Sequence, residues 1–291
     1  MFLALRSLAG LLFLLALLAG CNRLEPPGPE QPLVVGLPAD PVFQQTAPNS
    51  EGMNGFSRDL VEAFADTLGV GVRIVVAQDN TELLNLVREG KVHMAAAVPA
   101  LDNDPALSYS PPLRETRQLI VQHASALPVD SPEKLAGREI DMLPGAPQAQ
   151  TLLSMNIVPP PVIVERPGID ELELLSGVAR HRHELAASDE LHLAIAANFN
   201  PDLEVAFELP GKLAYVWAFP NVAENRELRE RASRFIESAR QDGTLTRLND
   251  RYFGHIRRMD AQDIETFIDN MRNRLPDFRQ AFQEAQEITG I

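Results

Sequence analysis

The sequence predicts an α/β protein of two lobes facing each other across a cleft. Each lobe is a parallel-core sheet with covering helices, and a helical extension follows at the C-terminus. Three observations carry this expectation. Strand-like and helix-like segments alternate from Leu33 onward in two successive units, the pattern of parallel strands joined by crossover helices. The chain then returns late, with a strand over 213–219 and two helices after it. Finally, 291 residues at 45% hydrophobic and 23% charged suffice for two modest lobes with real cores. Ligands of such folds sit in the cleft, at the carboxyl ends of the strands.

Along the chain, Arg6 precedes an apolar run from Leu8 to Gly20 that ends in Leu18-Ala19-Gly20-Cys21, too short to span a bilayer comfortably. Residues 21–32 include the Pro-rich RLEPPGPEQP, which predicts an extended tether that does not pack. Leu33 to Leu37 reads as a buried strand, and Asp40 to Asn54 as a long polar loop. Phe56, Leu60, Phe64 and Leu68 fall at helical spacing with Gly69 as the stop. A strand follows over Val72–Ala77. Asn80 or Thr81 is expected to cap a helix bearing Leu83, Leu84, Leu86 and Val87, which Gly90 ends before a strand over Val92–Val98.

The second unit has strands near Arg138–Met142 and Val162–Glu165, a helix from Asp170 to about Arg180 and a strand at Glu184–Ser188. After the return strand, Asn225–Ala239 forms a long helix with Leu228, Ala232, Phe235 and Ile236 inward, and Asp242–Phe253 a short amphipathic one. Beyond it, Asp260 caps a helix bearing Ile264, Phe267, Ile268, Met271 and Leu275, and Pro276 opens another with Phe278, Phe282 and Ala285 on one face.

Charge and composition exclude several functions. The 40 acidic residues against 26 basic give a formal charge of −14, which repels phosphate backbones and argues against nucleic acid as a partner. A single Cys excludes an intramolecular disulfide framework and any Cys-based zinc site. His181 and His183 flank Arg182 at a helix end, where a solvated cap favoured by the helix dipole is expected rather than a metal site with Asp189 or Glu184. The other histidines show no ligand spacing. Asp102 and Asp104 lie in a loop rich in Asp and Pro that reads as a turn rather than an acid–base pair. Gly55-Phe56-Ser57-Arg58-Asp59 lacks the second Gly of a nucleophile elbow. No catalytic set, cofactor or metal is expected.

The end of the apolar run resembles a bacterial lipoprotein signal, in which Cys21 is acylated and becomes the first mature residue. An ordinary signal peptide, or a membrane anchor with an incidental Cys, is the alternative. Asn22, where an Asp would in many Gram-negative bacteria hold a lipoprotein at the inner membrane, points to the outer membrane. Four blocks carry a second resemblance. They are Gly55-Phe56-Ser57-Arg58-Asp59-Leu60 with Phe64-Ala65-Asp66-Thr67-Leu68-Gly69-Val70; Leu86-Val87-Arg88-Glu89-Gly90-Lys91-Val92; Ser188-Asp189; and Asp242-Gly243-Thr244-Leu245 leading to Arg251-Tyr252-Phe253-Gly254. In order and spacing they resemble family 3 solute-binding proteins, the bilobed receptors that serve amino-acid transporters, over roughly 33–254. The resemblance implies the type II periplasmic-binding-protein fold. It is closer still to the N-terminal module of the membrane-bound lytic murein transglycosylase F family, which continues through a helical segment like 255–291 into a lytic domain.

In that family the lytic domain uses a Glu followed by Ser. The pair here, Glu237-Ser238, lies in an amphipathic helix and lacks the usual aromatic, so the chain is expected not to be an enzyme. The resemblance also implies a pocket. Asn103 stands where the receptors place the Arg that forks onto the ligand carboxylate, and Pro144-Gly145-Ala146-Pro147 lacks the hydroxyl of the second carboxylate contact. Both changes count against free α-amino acids. Asp189 keeps the position that receives the ligand's ammonium; its other reading is an N-cap for the helix beginning at Glu190. Phe43 is placed to stack over a ligand or to join the core. Val98, Ala100 and Gln148 are candidates by position, and Trp217 reads as packing.

The expected organisation is a signal peptide over 1–20, a tether over 21–32, a bilobed domain over 33–254 (33–121 with 211–254, and 122–210), and a helical extension over 255–291. The expected function is that of a lipid-anchored periplasmic sensor closing on a small polar ligand such as a peptidoglycan peptide. Its apolar C-terminal helices would meet a lytic domain or a protein partner, unless they simply pack on their own domain. The rivals are a stand-alone amino-acid receptor and a scaffold that binds nothing.

Overall fold

The computed structural model describes residues 24–43, 45–46, 53–101 and 104–254. Its strands are β1 (Leu33–Pro38), β2 (Gln45–Thr46), β3 (Met53–Asn54), β4 (Val72–Ala77), β5 (Met94–Pro99), β6 (Leu107–Tyr109), β7 (Arg114–His123), β8 (Glu139–Met142), β9 (Val162–Glu165), β10 (Leu185–Asp189) and β11 (Leu203–Pro220). The helices are α1 (Phe56–Leu68), α2 (Asn80–Arg88), α3 (Gln148–Ser154), α4 (Glu171–Ala179), α5 (Glu190–Ala197), α6 (Arg226–Gln241) and α7 (Thr244–Phe253). Among the described residues a nine-stranded sheet runs in the order β4-β1-β5-β11-β7-β10-β8-β9, with β6 off this path beside β11. Pairing is parallel at each end of the path, β4 with β1 and β1 with β5, then β10 with β8 and β8 with β9. It is antiparallel where β11 meets β5 and β7, and where β7 meets β10. The two parallel cores expected from the sequence are thus joined through β7 and β11.

Local chemistry explains the elements. Phe56, Leu60 and Phe64 turn one face of α1 into the core, and Gly69, at φ 70°, closes it in the left-handed region where a Cβ is penalised. Asp79 caps α2, rather than Asn80 or Thr81. Its backbone is still extended, so its carboxylate reaches back to the Glu82 N–H at 2.8 Å while the Glu82 carboxylate accepts the Gln78 N–H at 2.7 Å, a reciprocal cap.

In the second half the period-2 alternation of strands sorts residues between two cores. Leu119 and Val121 of β7 and Ala186 of β10 pack with Leu174, Leu175 and Val178 of α4. Ile120, Leu185 and Ala187 pack on the other side with Ile140 and Leu152. Trp217 is fully buried between Phe64 and Phe235, the packing role expected of it.

Two further expectations are corrected. The return strand begins at Leu203, ten residues before the expected start, because 203–208 pair with β7 and a bulge around Gly211 carries the strand on to β5. The Pro-rich tether also packs, over the part the structure describes. The Leu24 N–H donates to the Gly90 carbonyl at 3.2 Å, Leu24 rests on the first-half core, and the Glu25 carbonyl lies 2.7 Å from His93 Nε2. No described helix is long and apolar enough to cross a membrane. Cys21 and the 255–291 helices lie outside the described residues.

Candidate functional site

The carboxyl ends of β1, β4, β5 and β8 open into a cleft whose empty space, the adjoining open solvent included, is about 470 Å³. From the first half it is lined by Asp40, by Asp79 and Asn80 at the start of α2, and by Ala97 of β5; from the second by Leu143, by Asp170 and Glu171 at the start of α4, and by His192; Tyr215 of β11 completes it. The lining holds four carboxylates, one His and no Lys or Arg. Ala97 has φ 55° beside the β5–β11 register shift, the kind of backbone strain that clusters at ligand sites. At Gly145 a Cβ would stand 2.7 Å from Thr81 Oγ1 of α2, so the two halves approach here within the space of a methyl group.

Three helices begin around the cleft, and each is capped by an aspartate. Asp79 accepts the Glu82 N–H, Asp170 the Glu173 N–H and Asp189 those of Leu191 and His192. These carboxylates sit at positive helix ends, which lets several collect in one place and leaves those ends already answered. Glu171 sits at the same end of α4; burial, with Asp189 and Asp40 adding to it, pushes its carboxyl up to about 7 against the pull of His192.

At the floor lies a closed network. Asp189, 2% exposed, accepts on Oδ1 the N–H groups of Leu191 at 2.7 Å and His192 at 3.2 Å and the Thr116 hydroxyl at 3.4 Å. Its Oδ2 accepts the Tyr215 hydroxyl at 2.6 Å and His192 Nδ1 at 2.7 Å. His192 Nε2 reaches Asp40 Oδ2 across the cleft at 3.0 Å. Burial alone would lower the His192 pKa, yet Asp189 and Asp40 hold it well above the ordinary value. Burial likewise pushes Asp189 up, and the His192 charge with the donated hydrogen bonds brings it below the usual range. Tyr215 is raised well above 10 by burial and by the same carboxylates.

The structure brings Asp189 and Phe43 together around His192, and of the two readings open for Asp189 the geometry shows the N-cap of α5; its remaining partners are side chains of the chain itself. Phe43 is 1% exposed and packs on Tyr215, Phe56, Phe253 and the His192 ring, 4.8 to 6.4 Å between centroids. It roofs the network from the core and is not among the cleft residues. Val98 is fully buried in the first-half core. The Ala100 N–H is spent on the Ala214 carbonyl at 2.9 Å. Gln148, 4% exposed, ties α3 to the Ser188 carbonyl at 3.0 Å. None of these three lines the cleft, and Asn103 and Cys21 lie outside the described residues.

Asp40, Glu171, His192 and Tyr215 line the cleft without having been site candidates from the sequence. One signal was available for His192, since Asp189 and His192 stand three apart and so share a helix face. His183 faces Asp141 at 3.4 Å, and among the described residues no cluster of three or more metal-ligating side chains forms. Asp104 is spent on Arg88 at 2.7 Å.

Comparison with known proteins gives a concordant result. The model of the bacterial extracellular solute-binding proteins, family 3, matches residues 33–255. Membrane-bound lytic murein transglycosylase F of Thiobacillus denitrificans is 30% identical over 288 residues, 97% of this chain and 60% of that protein. The chain therefore spans about 60% of that relative's length. Among solved structures, the GluR0 ligand-binding core from Nostoc punctiforme in complex with L-glutamate superimposes with a TM-score of 0.64 at 20% identity, covering 76% of this chain and 99% of that one. An ancestral arginine-binding protein bound to arginine gives 0.65 at 22% identity, covering 76% and 97%. These likenesses show the periplasmic-binding-protein fold.

Proposed function

Since the chain belongs to the bacterial extracellular solute-binding proteins of family 3, we propose that its cleft closes on a small polar ligand and that this closure, not chemistry, is its output. The observation that carries the reading is the cleft itself. It lies at the carboxyl ends of the parallel strands, draws side chains from both halves of the sheet, and is bridged by Asp40 and His192. The matched module is a binding module, and its fold neighbours are binding proteins. The family's extracellular setting and the membrane-bound relatives support a periplasmic, envelope-associated protein.

Within that setting the ligand is a peptide fragment of peptidoglycan, the chain is held at the outer membrane by a lipid on Cys21, and ligand state passes through residues 255–291 to a lytic domain or protein partner. The murein-directed relatives support this assignment. The pocket carries no Lys or Arg to grip a free amino acid's carboxylate, which counts against the free amino acid as ligand. A second reading, a stand-alone amino-acid receptor, is favoured by the glutamate- and arginine-bound neighbours.

Thermal unfolding against stem tri- and tetrapeptides, anhydro-muropeptides and free amino acids separates the two, since a ligand that binds only the native state raises its stability. The sensor reading expects a shift with the peptides and none with free amino acids. A shift with free amino acids alone establishes the receptor, and no shift with any of them refutes both.

A further inference from the structure

We infer that His192 determines the specificity of the cleft. Its side chain occupies the place between Asp189 and Asp40 that a ligand's ammonium group would take, so the cleft refuses free α-amino acids and takes ligands whose nitrogen at that point is acylated. This inference rests on reading the cleft as the ligand site.

The argument is one of hydrogen-bond capacity. A carboxylate offers about four lone-pair sites, and Asp189 already receives five donors, all from the chain itself. A sixth, from a ligand, enters only if one of these leaves. Four of the five are fixed by the backbone of α5, by β7 and by β11, which leaves the His192 ring as the displaceable one. That ring has carboxylate oxygens on both nitrogens, at 2.7 and 3.0 Å. A neutral imidazole has a single N–H, so both contacts are hydrogen bonds only if the ring is an imidazolium, which is a cation of the size and donor count that the position suits.

The surroundings keep it there. His192 is 2% exposed, with the edge of Phe43 at 6.0 Å between centroids. The charged and titratable groups around it are Asp40 from the loop after β1, Asp189 on its own helix, Glu171 from α4 and Tyr215 from β11, with Arg114 of β7 acting on Asp189. A zwitterionic amino acid therefore meets a filled cation position and, with no Lys or Arg in the lining, no cationic side chain to fork onto its carboxylate. An acylated nitrogen brings a neutral N–H donor instead, which a lining carboxylate such as Glu171 accepts without displacing His192.

The test uses the whole chain and two small cations, imidazole and ethylammonium, with L-alanine as the amino acid. At a pH of about 6, below the ordinary histidine value of about 6.5, His192→Ala should be stabilised by about 50 mM of either cation, as a native-state ligand requires. The wild type should not respond. L-Alanine should bind the variant at least about tenfold more tightly than the wild type. Equal responses in the two proteins, or none in a folded variant, overturn the inference, as does wild-type binding of free L-alanine. Should the variant not fold, nitrogen NMR of the wild-type ring decides at a pH of about 8. Two protonated ring nitrogens uphold the inference and one overturns it. A wild type that ignores every peptide, beside a variant that takes the cations, refutes the function proposed above and leaves the role of His192 standing.

Discussion

His93 and His192 are buried to nearly the same degree, 4% and 2% exposed, and their partners push their pKa values in opposite directions. His93 Nδ1 accepts the Val34 N–H at 2.9 Å and its Nε2–H donates to the Glu25 carbonyl at 2.7 Å, so a neutral ring satisfies both partners. Its pKa is lowered, by burial first and by Arg73, against the pull of the Glu25 carbonyl. His192 meets two carboxylates, Asp189 and Asp40, which raise its pKa well above the ordinary value against burial. Burial sets the stakes and partners set the outcome. Backbone partners make a staple, here fixing the Leu24–Gln31 segment against β1 and β5, whereas carboxylate partners make an ion pair that spans the cleft.

The largest expected effect falls on the charged site. Asp189→Ala removes the α5 cap and leaves an imidazolium with one partner, and should cost about 3–5 kcal/mol in chemical denaturation near neutral pH. A loss below about 1 kcal/mol would mean that the two sites do not differ in kind. Tyr215→Phe removes a hydrogen bond to a buried carboxylate without changing shape and should cost about 2 kcal/mol. The staple is expected to yield less. His93→Gln should cost about 1 kcal/mol, and its clearer sign is faster proteolysis within residues 24–32, since only local contacts are lost.

The sharpest comparison lies in the pH dependence, because the two histidines impose pH slopes on opposite sides of neutrality. His192 has a raised folded pKa, so its stabilisation is full below the unfolded value of about 6.5 and is lost as pH rises through the folded value. His93 has a lowered one, so stability falls as pH drops below about 6.5, where the unfolded chain binds a proton that the native ring refuses. Glu171, raised to about 7, adds a decline with rising pH below that value, in the sense of His192. Stability curves should therefore lose alkaline slope in His192→Gln and acid slope in His93→Gln, each by at most about 1.4 kcal/mol per pH unit. Exchange of the two effects between the variants would reverse the assignment of charge.

Most of the scaffold was legible because its elements are locally coded. The spacing of Phe56, Leu60 and Phe64, the stop at Gly69 and the apolar runs of β1 and β5 each act within a few residues. The strand β7 was not, because Arg114, Glu115 and Arg117 interrupt its apolar pattern and only pairing with β11 and β10 makes it a strand. The cap at Asp79 was missed by one residue, since Asp79, Asn80 and Thr81 are all capping types and the backbone entering the helix chooses among them.

By itself the sequence determined the alternation of strands and helices in the two parallel units, the acidic balance, and Asp189 at the end of a strand and the start of a helix. Tertiary structure alone decided what Asp189 holds. Asp40 and His192 stand 152 residues apart, and Tyr215 lies 26 beyond Asp189, so no local pattern links them. Periodicity records which face of an element is buried, whereas the charge of a buried imidazole depends on which carboxylates the folded chain sets against its two nitrogens.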